Sequence, residues 1–125
     1  MGFSFEKLNV YKEARCFNKE VYLLLKKFPK EEQYSLCDQL RRAVSSVPSN
    51  IAEGKSRNSL KEKIHFLEIA YGSLMECFCQ LSLAFDLKYI CADELDIARH
   101  RVETISKMLS GLKASFERQL AENKL

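Results

Sequence analysis

Three stretches of this chain place apolar residues at alternating steps of three and four, and that spacing dictates helix rather than strand. The first runs Val10, Ala14, Phe17, Val21, Leu24 and Phe28. The second runs Ile64, Leu67, Tyr71, Leu74, Phe78, Leu81 and Phe85, and the third Leu95, Ala98, Val102, Ile105, Leu109, Leu112 and Phe116. Such a repeat keeps one edge of each helix turned toward its neighbours and favours crossing near ~20°. No segment shows the two-residue alternation of a half-buried strand. A less regular segment lies between the first two: Leu36, Leu40, Ala43, Val44, Val47 and Ile51, interrupted by Pro48.

The punctuation agrees with the periodicity. Pro29 closes the first helix, because the residue before a proline is pushed out of the helical region. Gly54 offers the second a left-handed stop. Ser59 stands three residues before Glu62, the spacing of a capping box. Asp93, Glu94 and Asp96 suit the positive end of the last helix. The expected elements are helices over about 5–28, 32–54, 59–88 and 93–120, in one domain covering 1–125. Short connections make successive helices antiparallel, so the expected architecture is all-α, an up-down-up-down four-helix bundle. Pro48 should kink the second helix, eased by Ser45, Ser46 and Ser49 bonding back onto the preceding turn. A break into two helices is the alternative.

The helix over 59–88 has a second apolar stripe, with Phe66, Ile69, Ala70, Cys77 and Ala84, and Gly72 on the same turn as Ile69. A helix apolar over so wide an arc is buried more deeply than one face of a lone bundle requires. Phe66, Ile69, Ala70 and Cys77 are therefore candidates for a contact between copies of the chain, with Gly72 allowing close backbone approach. A wide face within one chain is the competing reading.

Evidence for chemistry is thin. Two histidines occur, and the spacing Glu62-x-x-His65 is that of one half of a di-metal carboxylate site. The other histidine follows Asp96 by four residues, which does not supply the second half. Five cysteines are scattered at 16, 37, 77, 79 and 91 without a C-x-x-C pair, so they read as small packing residues in a reducing cytoplasm. Glycine-rich phosphate loops are lacking, and no histidine neighbours the serines near Pro48. No catalytic residue, metal or cofactor is expected. With 46% apolar residues the chain can bury a core, and no apolar run approaches the ~20 residues that span a bilayer. The start, MGFSFEKLNVYKEAR, lacks the apolar segment of a secretory signal.

Charge is the remaining signal. The net charge is +3, yet from Arg41 to Lys63 six basic residues (Arg41, Arg42, Lys55, Arg57, Lys61 and Lys63) face two acids, Glu53 and Glu62. From Ala92 onward six charges of each sign balance. The clustered cations are candidates for contact with nucleic-acid phosphates, and an ordinary solvated face is the alternative.

The stretch LRRAVSSVPSNIAEGKSR, followed by FLEIAYGSLMECFCQL, resembles the bacterial intervening-sequence proteins, named for reading frames inside insertions in 23S ribosomal RNA genes. The resemblance rests on Ser46, Val47, Pro48, Asn50, Ile51, Ala52, Glu53 and Gly54, and more loosely on Phe66, Leu67, Ile69, Ala70, Gly72, Ser73 and Leu74. It implies a four-helix bundle that assembles as a homopentamer, with Pro48, Asn50, Glu53, Gly54 and Gly72 as structural signature positions. A related branch is the accessory variability determinant of diversity-generating retroelements, a basic pentameric barrel that binds nucleic acid and a reverse transcriptase. The resemblance thus implies a non-enzymatic cytoplasmic oligomer that binds RNA or DNA. A scaffold with protein partners alone is the second expectation.

Overall fold

The computed structural model describes residues 2–124 and consists of four helices: α1 (Asn9–Leu25), α2 (Leu36–Ser56), α3 (Leu60–Asp86) and α4 (Ala92–Glu122). Single 3-10 turns at Ser4–Lys7 and Lys30–Glu32 lead into α1 and α2, which start about four residues later than the periodicity suggests. Each helix packs on two others. α1 lies against α2 and α4, α3 lies against α2 and α4, and among the described residues the diagonal pairs make no close backbone approach. That cyclic order is the up-down-up-down bundle. The α2/α3 pair is the most extensive and the α1/α4 pair the least. Among the described residues no helix is long and apolar enough to cross a membrane.

α2 buries the residues its periodicity marks, and α4 all but Leu95 and Leu112, which are half-buried. Leu36, Leu40, Ala43, Val44, Val47 and Ile51 are buried, as are Ala98, Val102, Ile105, Leu109 and Phe116. α2 runs unbroken through Pro48. Proline removes one backbone donor, and the turns beside it gain side-chain donors. Ser49 Oγ donates to Ser45 O at 2.9 Å, and Asn50 Nδ2 to Ser46 O at 2.8 Å and to Ser46 Oγ at 2.8 Å. Asn50 thereby serves its own helix.

α3 departs from expectation. Its buried line is Leu67, Ala70, Leu74, Cys77, Leu81 and Ala84, so Ala70 and Cys77 belong to the core of the single chain and are corrected from the intersubunit stripe. Tyr71 and Phe85, read as core, are 41% and 38% exposed. The cause is size. A line alternating Leu with Ala or Cys lets α2 and α4 approach closely, which a line carrying Tyr71, Phe78 and Phe85 would prevent. Displaced from the interior, Tyr71 and Phe85 are exposed on the α4 side of α3, while Ile69 and Leu83 are exposed on its other flank.

Gly54 also differs in role. It is helical and buried, and no glycine among the described residues has positive φ. A Cβ there would stand 3.1 Å from Phe66 Cβ and 3.2 Å from Lys63 O, so the missing side chain permits close α2/α3 contact. Gly72 is exposed, with nothing within 4 Å of an added Cβ, and makes no close approach within the chain. The two glycines therefore predict opposite outcomes. Gly72→Ala should raise stability by about 1 kcal/mol through helix propensity. Gly54→Ala should lower it by about 1–2 kcal/mol through overpacking. Thermal melts of the two variants at one protein concentration check this; equal stabilisation would remove the packing role of Gly54.

The capping box is half made: Glu62 N donates to Ser59 Oγ at 3.0 Å, while the Glu62 carboxylate turns to Arg57. α3 closes without glycine. Lys88 takes the left-handed conformation (φ 66°), and Tyr89 N reaches back to Ala84 O at 2.9 Å.

Candidate nucleic-acid interface

The six clustered cations of 41–63 do not form one free surface. Arg42 pairs with Asp38 at 3.4 Å. Arg57 lies between Glu53 at 3.3 Å and Glu62 at 3.6 Å, with its guanidinium 4.8 Å above the Phe66 ring. Lys63 donates to Lys55 O at 2.7 Å and lies over Phe116. Burial holds its ammonium below the ordinary lysine range, and the Lys55 charge adds to that. Only Lys55 and Lys61 remain without a salt bridge or side-chain hydrogen bond among the described residues. Arg41 points elsewhere, donating to Gln33 O at 2.8 Å in the groove between α1 and α2.

That groove is the more coherent site. α1 segregates its charges by face. Lys12, Arg15 and Lys19 stand at i, i+3 and i+7 on one side; Glu13 and Glu20 stand at i and i+7 a sixth or more of a turn away. Both acids are claimed by α4: Arg101 Nη1 meets Glu13 Oε2 at 2.8 Å and Nη2 meets Glu20 Oε1 at 2.7 Å. These carboxylates push the Arg101 pKa further up, the Glu20 hydrogen bond first. The three cations instead line a hollow of about 790 Å³ against Ser45, Pro48 and Ser49 of α2, and no carboxylate lines it. Its polar wall is ordered, with Asn18 Nδ2 donating to Ser45 Oγ at 3.0 Å and Tyr22 OH within 3.3 Å of the same hydroxyl. A second hollow of about 430 Å³ continues along the same helix pair, lined by Tyr22, Lys26, Lys30 and Arg41 and again by no carboxylate.

Two aromatic rings, Phe5 and Tyr11, line one end of the first hollow, and Phe3 lies outside it. Phe3 stacks on Phe5 at 6.1 Å, Phe5 meets the edge of Tyr11 at 5.0 Å, and Arg15 lies 5.8 Å from the Tyr11 centroid. Phe3 is 74% exposed. The charge signal was present in the sequence, since residues 1–30 hold seven cations and three carboxylates. It was missed because the decisive separation runs around α1 rather than along the chain.

The remaining candidate chemistry is dispersed. His65 is exposed with its ring against Phe66, and Glu62 faces Arg57, so the two do not converge. Among the described residues no three His, Cys, Asp or Glu side chains come together to hold a metal ion. Cys37 and Cys77 are buried, and burial pushes both thiols up, Cys77 to about 12. Cys16, Cys79 and Cys91 are exposed.

The model of the 23S rRNA-intervening sequence proteins matches residues 6–111. The chain belongs to that family. A crystal structure from Bacteroides thetaiotaomicron, of a protein with unknown function from the S23 ribosomal protein family, is similar with a TM-score of 0.77 at 22% identity. The alignment covers 83% of this chain and 97% of that one, so the two share the bundle fold over that length. Among curated proteins none matches the chain.

Proposed function

We propose that this family member is a non-enzymatic, self-associating bundle that binds RNA or DNA through the α1/α2 groove, as an accessory to an rRNA insertion or to a retroelement and its reverse transcriptase. One observation carries the binding: Lys12, Arg15 and Lys19 share a hollow that no carboxylate lines. Uncompensated cations on a concave surface release counterions when they meet phosphates, so affinity should fall steeply with salt. Fluorescence anisotropy of labelled oligonucleotides between 50 and 200 mM salt, about a fourfold range, should show a roughly tenfold or larger loss. No binding at the lower salt, or a flat response, overturns the reading.

Self-association is supported by large apolar residues exposed along α3, Ile69 and Leu83 on one flank of its buried line and Tyr71, Met75 and Phe85 on the other. The family resemblance makes a pentamer the expected assembly. Light scattering should return several times the 14.5 kDa protomer mass. Cys79, exposed on α3, should react with maleimide more slowly than Cys91 at high protein concentration. A monomer with both thiols equally reactive overturns this part. The same exposed residues favour a second reading, a scaffold for a protein partner. A partner retained after Lys12, Arg15 and Lys19 are reversed, in a protein that binds no nucleic acid, would select it.

A further inference from the structure

The aromatic cluster at the end of the cationic hollow carries the inference further. Phe3 and Phe5 precede α1; Phe3 stacks on Phe5, Phe5 meets the edge of Tyr11, and Arg15 lies over the Tyr11 ring. The Phe3 ring, 74% exposed and stacked on the Phe5 ring that lines the hollow, adds nothing to the core of this chain. Phosphate binding alone needs no such ring. We infer that the α1/α2 groove is built for single-stranded nucleic acid, with phosphates along Lys12, Arg15 and Lys19 and an unstacked base seated on Phe3. This rests on the proposed nucleic-acid role and names its substrate class.

Two physical arguments select a single strand over a duplex. In a duplex the base faces are hidden in the stack, and an exposed aromatic platform has nothing to meet; in a single strand every base offers a π-face. The cations also lie in a concavity between two helices whose axes pack ~8–10 Å apart. A flexible strand enters such a groove, and a duplex presents its phosphates on a convex cylinder. Lys12 to Lys19 spans ~10 Å of helix, and continuing to Lys26 doubles that reach. The second hollow, with Lys26, Lys30 and Arg41, extends the track along the same groove. The hydroxyls of Ser45 and Ser49 and the Asn18 amide offer polar partners on its wall.

The test compares labelled 12-nucleotide RNA and DNA single strands with the matching duplexes, using the full chain at 50 mM salt. The single strands should bind at least about tenfold tighter than the duplexes. Phe3→Ala should weaken single-strand binding by about five- to a hundredfold while leaving the salt slope unchanged, since stacking releases no counterions. Reversal of Lys12, Arg15 and Lys19 to glutamate should abolish binding. Their replacement by alanine, which adds no repulsion, should weaken binding and lower the salt slope by about two, from ~0.7 per lost phosphate contact. A bound strand should protect Cys16, which lines the hollow, from maleimide and leave Cys91 reactive. Circular dichroism confirms that each variant is folded.

Duplexes bound as tightly as single strands would overturn the inference while leaving the broader role intact. So would loss of binding on reversing Arg42 and Lys61 with none on reversing the α1 row. Absence of binding by any strand or duplex overturns both.

Discussion

Phe17→Ala is expected to lower the unfolding free energy by about 3–5 kcal/mol. Phe17 heads the fully buried side chains by volume and is 1% exposed. It sits in the middle of α1, between Ala14 and Val21 on the buried line. Truncation removes most of a ring from an interior with no room to close around the void, so the lost transfer energy and the cavity act together. For a chain of this length a loss of ~4 kcal/mol corresponds to about 15 °C in melting temperature. Phe3→Ala is the internal comparison. The same residue type, 74% exposed, should change stability by no more than about 0.5 kcal/mol. Urea unfolding of both variants at one protein concentration checks the contrast, the concentration being fixed because self-association would add to apparent stability. A Phe17 variant within 1 kcal/mol of the parent would refute the burial.

Arg101→Glu is expected to destabilise by about 2–3 kcal/mol at low salt. Arg101 joins α4 to two points on α1, and its Nε also donates to Glu20 Oε1 at 2.9 Å. The α1/α4 contact is the least extensive in the bundle, so this side chain carries a larger share there than it would elsewhere. The substitution removes two ion pairs and gathers three carboxylates. Side-chain exposures of 33–37% leave solvent free to screen the cluster, which keeps the figure below that of a fully buried pair. Screening also provides the check. As the Debye length shrinks from ~10 Å at 0.1 M to ~3 Å at 1 M salt, the repulsive part should fade. Reversing Glu13 and Glu20 to lysine in the same chain should restore most of the loss. Equal destabilisation at both salts would mean that packing, not charge, holds this seam.

The core of α2, and of α4 apart from the half-buried Leu95 and Leu112, was readable because in each only one apolar line fits the helical period. α3 was not. Two lines share Leu67, Leu74 and Leu81, one completed by Tyr71, Phe78 and Phe85 and the other by Ala70, Cys77 and Ala84. Hydrophobicity favours the aromatics, whereas the distance to the neighbouring helices selects the small residues. A similar distance decides Gly54: its sequence position suggests a helix stop, while Phe66 and Lys63 across the interface make it a contact point. Among the candidate binding residues, charge counted along 41–63 overlooked how readily local acids answer local bases. Glu53 and Glu62 converge on Arg57, and Asp38 takes Arg42. The more open cations lie on α1, where sign varies around the helix, and a linear count does not show that Glu13 and Glu20 turn to α4.

The unequal contacts around the bundle have a consequence for how the molecule opens. α2 and α3 share the broadest interface, while α1 is held by α2 and by the slender seam to α4. Sub-global opening follows the weakest boundary, so α1 is the helix first to part from a core formed by the other three. α1 is also one wall of the groove. A strand lying against both walls would tie the most detachable helix to the best-anchored pair, and occupancy would be felt as slower amide exchange along the whole of α1.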